Sequence, residues 1–268
     1  MLRRVFVLIC VTYALAASAS AVLVDWSTLS WAAGSLSNSY DVDPSNPGND
    51  VTVTVSGDTG QLLPEPPQTP AITTNLQGGQ AFAASTLTLL VDFSNQSQGV
   101  TVTVDFSALY AAGVTNVSFQ LFDVDFASSP GNSGSNYQDQ IRSISALSID
   151  GTTLIAPTIT ISPNNSLTGT GLSQVVNGTA SLNDTGAGSG DANVTISFGT
   201  AAIKSFTFTY GSGSDTNSDP TLEHIGLYNI DYIVLPEPGA LGVCVAIISL
   251  AIWTSHRRLR GFWKNIIP

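Results

Sequence analysis

Val51-Thr52-Val53-Thr54-Val55 alternates apolar and hydroxyl side chains without a break. Successive side chains of an extended chain point to opposite faces, so this run fits a strand with one buried face and fits no helix. The pattern recurs in Val100 to Phe106, Val117 to Phe126, Ile141 to Ile149, Thr158 to Ser162, Val194 to Phe198, Ile203 to Tyr210 and Ile225 to Val234. Turn clusters separate the runs: Ser128 to Gly134, Gly186 to Gly190 and Gly211 to Asp215. Short, regularly punctuated strands predict an all-β fold, a two-sheet β-sandwich with a jelly-roll-like topology. Within Val117 to Phe126 the apolar side switches from Val117, Phe119 and Leu121 to Phe122, Val124 and Phe126, which predicts a bulge near Leu121-Phe122. Ile141, Ser143, Ser145, Leu147 and Ile149 are expected to share one side of their strand.

Both ends of the chain read as addresses. Arg3-Arg4 precede an apolar stretch from Val5 to Leu15, and the small residues Ala16 to Ala21 follow. That order predicts a signal peptide over 1–21, cleaved after Ala19 or Ala21. At the other end, Pro236-Glu237-Pro238 leads into the uncharged segment Gly239 to Ser255. Its length is at the short end of what crosses a bilayer core as a helix. Arg257, Arg258, Arg260 and Lys264 lie on its C-terminal side. A basic cluster beside a helix end stays cytoplasmic, which puts everything before Pro236 outside the membrane. The residues after the cluster, 261–268, form a cytoplasmic tail in which Phe262 and Trp263 suit the membrane interface.

Pro-Glu-Pro tag, apolar span and Arg cluster over 236–260 resemble the PEP-CTERM sorting signal of bacterial exported proteins. The resemblance implies a membrane enzyme of the exosortase type as a processing partner. It implies delivery to the cell envelope or outer surface, membrane-anchored before processing.

Between the addresses lies a segment, 22–235, read as one extracytoplasmic domain. The Pro-rich run Leu62 to Pro70 could be a linker, but what precedes it after cleavage is too short for a core of its own. That early part is therefore expected to supply the first strands of the same sandwich, with the Pro run as a surface loop. Six of the eight Lys and Arg residues are in the two ends, leaving Arg142 and Lys204 against eighteen acids, a formal charge of about −16. Such a surface repels nucleic acid and anionic lipid. Cys10 and Cys244 both fall in the addresses, so the domain offers no thiol nucleophile, disulfide or Cys-ligated zinc.

The middle of the chain, from about Ser85 to Val234, also resembles β-sandwich modules of bacterial surface proteins. Phe122-Asp123-Val124-Asp125, Gln138-Asp139, the Asp150-Gly151 hairpin and the late strands Phe206 to Tyr210 and Ile225 to Ile233 carry that resemblance. It implies a surface or matrix module and no particular activity.

Three constellations bear on function. Asp123 and Asp125 are two apart, so on a strand they share a face, and Asp139 follows a Gly/Ser/Asn loop. Together they suit Ca²⁺, which takes six to eight oxygen ligands. The same pair also fits solvated acids that limit edge pairing. Asp41 to Asp50 is acidic too, but it lacks an EF-hand spacing and is expected to be a mobile turn. Tyr137 stands in a polar loop beside Gln138 and is a candidate ligand contact. Trp26, Trp31, Tyr40, Tyr210, Tyr228 and Tyr232 are the other rings from which a sugar platform could be built. No catalytic residue is assigned. His224 is the lone histidine of 22–235, without a nucleophile elbow, and is expected at the surface where the last strand begins. The reading is a non-enzymatic exported structural or adhesive protein, with a polysaccharide matrix as one partner. The alternative is a carbohydrate-binding module, Ca²⁺-dependent if the Asp site is real.

Overall fold

The structure is a computed structural model that describes residues 20–80, 83–128, 136–181, 190–216 and 219–236. Ala21–Val234 forms one compact unit. The first strands are β1 (Ser20–Val24), β2 (Ser37–Tyr40), β3 (Val51–Gly57), β4 (Ala71–Thr73) and β5 (Thr86–Val91). Then come β6 (Gly99–Asp105), β7 (Val114–Phe122), β8 (Phe126–Ser128) and the long β9 (Asn136–Ser148). Short strands follow: β10 (Leu154–Ile155), β11 (Thr158–Ile161), β12 (Asn165–Thr168), β13 (Val175–Gly178) and β14 (Val194–Ser197). β15 (Ile203–Ser212) and β16 (Glu223–Val234) complete the set. The fold is all-β, as the alternation predicts.

All pairings among β2 to β16 are antiparallel. One half of the network runs β2-β3-β6-β15-β9-β13-β12, with β8 and β10 also on β9. The other runs β11-β14-β7-β16-β5-β4, with β1 on β16. A single residue pair, Ile203 with Val114, joins the halves into one curled sheet. The halves face each other in a sandwich-like arrangement. Phe119 of β7 stacks on Phe206 of β15 with ring centroids 4.5 Å apart and lies 5.8 Å from Phe208. Each such ring stabilises the fold by about 1.5–3 kcal/mol through burial, with about 0.5–1.5 kcal/mol more per aromatic pair.

Alternation determines which side chains meet. Val53 pairs with Val104, and Val102 with Phe208, all facing the core. The intervening hydroxyls line the outer face, where Ser39 and Thr52 bond at 2.8 Å, Ser37 and Thr54 at 3.1 Å, and Thr101 and Thr209 at 2.9 Å. Cross-strand Thr and Ser pairs of this kind add a few tenths of a kcal/mol each, about 0.2–1.

Three local expectations are corrected. The run Val117 to Phe126 is not one bulged strand, because β7 stops at Phe122 and Asp123 takes a left-handed φ of 65°. That turn sends Phe122 into a small cluster with Leu76, Ala84 and Tyr228, while Val124 enters the main core. In β9 a left-handed Ser143 (φ 53°) shifts the phase. Ile141, Ile144 and Ala146 face inward, whereas Ser143 is exposed, Leu147 half-buried and Ile149 45% exposed. The Pro-rich run is more than a surface loop. Leu62 bridges to Val91, and the buried Thr69 hydroxyl donates to the Leu63 carbonyl at 2.7 Å and the Leu90 carbonyl at 3.1 Å, so the run closes over β5.

Candidate functional site

The Asp residues singled out in the sequence converge at one place, and their neighbours are ones the sequence did not announce. β9 carries Asp139 inward, directly opposite Ser212 on β15. The Ser212 hydroxyl donates to Glu223 Oε1 at the start of β16. Two positions back on β15, the Tyr210 hydroxyl donates to Asp139 Oδ1 at 2.6 Å, and the Asp125 backbone N–H donates to Asp139 Oδ2 at 3.0 Å. Tyr137 is half-buried and hydrogen-bonds the Asp125 carboxylate, so it belongs to the cluster and is no free-standing loop contact. Asp139 is 0%, Asp125 1% and Glu223 1% exposed, which makes these acids interior groups.

Such burial disfavours ionisation. Asp139 is pushed well above the usual carboxylate range, first by burial and then by the charges of Glu223 and Asp125. Glu223 is raised to about 7, chiefly by burial. Its carboxyl lies within hydrogen-bond reach of Asp139, and its Oε2 is buried with no donor facing it. Among the described residues neither Asp139 nor Glu223 has a Lys or Arg partner. Arg142 is turned away, donating to Gln140 Oε1 at 2.9 Å and to the Gln98 carbonyl at 2.8 Å.

Asp123 takes a separate role at the rim of this cluster. It is 6% exposed, and its Oδ2 is 3.1 Å from His224 Nε2. His224 is therefore not a bare surface residue at the head of the last strand. Its ring is one-third exposed, and burial pushes its pKa below the ordinary imidazole value. The neutral ring donates to Asp123. Both Asp123 and Asp125 are buried, so neither acts as a solvated edge charge. Among the described residues, no three carboxylate, imidazole or thiol groups stand ready as a metal-ligand set.

The second acidic stretch is tied down by its own carboxylates. Asp50 is 0% exposed and its Oδ2 accepts from the backbone of Val42 at 2.7 Å and of Asp43 at 2.6 Å. Asp43 in turn accepts from the Ser45 backbone at 3.0 Å and from the Tyr110 hydroxyl at 3.2 Å. That is a built loop, where a mobile turn was expected.

No protein-family model and no curated protein matches the chain. A solved structure that does match is a carbohydrate-binding module of the CBM28 type, specific for non-crystalline cellulose. The match has a TM-score of 0.34 and 10% identity, covering 60% of this chain and 78% of that one. The rings of a possible sugar platform are mostly interior: Trp26, Tyr210 and Tyr232 are at most 1% exposed, and Trp31 and Tyr40 are under 9%. Tyr228 is half-buried and stacks on Phe122 at 4.8 Å.

Of the sorting motif, Pro236 is the last described residue. Glu237, Pro238, Arg257, Arg258 and Arg260 lie outside the described residues, as do the span 239–255 and residues 1–19 of the signal peptide. Among the described residues no helix is long and apolar enough to cross a membrane.

Sequence reasoning missed Glu223, Ser212 and Tyr210. A signal for Glu223 was present: it is a Glu at the head of an apolar strand, in a domain whose acids are nearly all Asp. Nothing local marks Ser212, because its role depends on register with β9.

Proposed function

We propose that the chain is a non-enzymatic, exported protein of the cell envelope or extracellular matrix, whose domain serves a structural or adhesive role in a jelly-roll sandwich. Its C-terminal signal is read by an exosortase-type enzyme, and the domain stands outside the membrane, anchored until that processing occurs. The observation that carries the reading is how the paired strands fill the interval between the two addresses. β1 begins at Ser20, inside the expected cleavage region, and β16 ends at Val234, just before Pro236. β1 pairs with β16, and β16 lies between β5 and β7, so the last strand before the tag is an interior one. Burial of the aromatic rings favours a structural role over sugar stacking.

The test is expression of the full chain, epitope-tagged at Pro268, in a bacterium with and without its exosortase. The expected result is loss of the tag, with the domain recovered outside the cytoplasm, only when the enzyme is present. A tag retained equally in both strains, or a domain recovered in the cytoplasm, overturns the reading.

A further inference from the structure

We propose, resting on the adhesive role given above, that the outer face of β2-β3-β6-β15-β9 is the adhesive surface of the domain. Its ligand is an uncharged, hydroxyl-rich polysaccharide lying across the strands.

Register sets the hydroxyls of five strands in rows. Ser37 pairs with Thr54, Thr54 with Thr103, Thr103 with Thr207, and Thr207 with Ser145. A second row runs Ser39, Thr52, Asp105, Ser205 and Leu147, and a third Ser56, Thr101, Thr209 and Arg142. Paired residues on neighbouring strands point to one face, as do alternate residues along a strand. The face is therefore a grid about 19 Å wide with rows about 7 Å apart. Ser37 and Ser56 are exposed and the other members half-buried, and the described residues include no α-helix that could cover them.

This grid is richer in acceptors than in donors. A hydroxyl has one O–H and two acceptor lone pairs. Thr101 and Thr209 share one bond at 2.9 Å, Ser39 and Thr52 one at 2.8 Å, and Ser37 and Thr54 one at 3.1 Å. Each pair so joined keeps three acceptor sites and one O–H. Thr103 donates to Thr207 at 3.4 Å and Thr207 to the Val102 carbonyl at 3.1 Å, so that pair keeps acceptors alone. Asp105 adds a carboxylate to the same face. A matching partner must bring many donors, and neutral sugars do so while accepting in return. Carboxylate, sulfate and phosphate polymers bring acceptors, and the formal charge of about −16 from Val22 to Leu235 repels them. Arg142, at the edge of the third row, is no anchor for an anion. Its Nη1 donates to Gln140 Oε1 at 2.9 Å and its Nη2 to the Gln98 carbonyl at 2.8 Å. No aromatic ring stands in the rows, so hydrogen bonds to several sugars supply the affinity. A polymer long enough to span the grid makes many weak contacts at once.

The experiment uses the full chain in a polyoxyethylene detergent, which has no sugar head group to compete. Binding isotherms are measured on beads of dextran, mannan and amorphous cellulose, with polygalacturonate as the anionic comparison, at about 0.1 M and about 0.5 M NaCl. The expected result is binding to at least one neutral polymer, unchanged by salt and not shared by polygalacturonate. Thr54→Val, Thr103→Val and Thr207→Val together remove the central hydroxyls while keeping side-chain shape, and should raise Kd about tenfold or more. Thr158→Val with Thr195→Val, on β11 and β14 in the other half of the sheet, should bind as the unaltered chain does. Should the triple variant not fold, Thr101→Val and Thr209→Val replace it, and the isotherms of the unaltered chain need no variant. Failure to bind any of the three neutral polymers overturns the proposal. Binding that polygalacturonate shares, or that salt abolishes, also overturns it, because charge then carries the interaction. Unchanged affinity in the folded triple variant overturns it too, because the site must then lie off this face. None of these outcomes bears on exosortase processing, which the tag at Pro268 reports separately.

Discussion

The Tyr210 hydroxyl donates a 2.6 Å hydrogen bond to Asp139 Oδ1 in the interior of the domain. Both groups are fully buried, so no water can replace the donor if it is lost. Tyr210→Phe is expected to destabilise the domain by about 1–3 kcal/mol, the range for leaving a buried polar group without its hydrogen-bond partner. Urea unfolding at pH 7.5 checks it through the midpoint at unchanged slope.

Glu223 sets the pH dependence of stability. Its folded pKa of about 7 is above the ordinary 4.5, so the folded state holds the proton more tightly than the unfolded chain. The associated stability is complete below pH 4.5 and is lost as pH rises through about 7. The loss is about 3 kcal/mol at 1.36 kcal/mol per pH unit. Urea midpoints across pH 5 to 8 should fall, and Glu223→Gln should flatten the curve. A flat curve for the unaltered chain would show that Glu223 is not perturbed.

Asp123 tests the left-handed turn that ends β7. At φ 65° a Cβ is strained and glycine is not. Asp123→Ala and Asp123→Gly both lose the His224 contact, so their difference isolates the backbone. The alanine variant should be less stable by about 1 kcal/mol, read from parallel denaturation curves. Equal stability would mean the turn relaxes.

Gly178 on β13 packs face-on against the Asp125 backbone, and a Cβ there would overlap the Asp125 carbonyl. A backbone obstacle cannot rotate away as a side chain can. Gly178→Ala should therefore cost about 2–3 kcal/mol by forcing the Asp125 segment to move. Thermal unfolding checks the cost, and a neutral result would refute this packing.

Phe119 stands between the two halves of the sheet, stacked on Phe206 and near Phe208. Phe119→Ala should cost about 3–5 kcal/mol, as large aromatic truncations in packed cores do. The urea midpoint measures it.

The strand set was largely legible because alternation is a local property. β3 and β6 matched their Val/Thr runs nearly residue for residue, since each side chain's face follows from its neighbour's. Legibility failed where one residue left the extended region. Ser143 and Asp123 each reset the phase; Ser gives no sign of a positive φ by type, and Asp tolerates one more readily than most residues without requiring it. Grouping Asp125 with Asp139 was within reach, since they flank one loop. Its remaining members were not, because their position depends on long-range register.

What the sequence determined by itself was therefore an all-β chain, highly acidic from Val22 to Leu235, with apolar faces assigned strand by strand. Only the tertiary structure decided that Ser212 lies opposite Asp139, that Glu223 reaches both, and that His224 takes Asp123. The physical reason is range. A side chain's face depends on the residue beside it, whereas buried carboxyls find their neighbours through the pairing of β9, β15 and β16, strands brought together from distant parts of the chain.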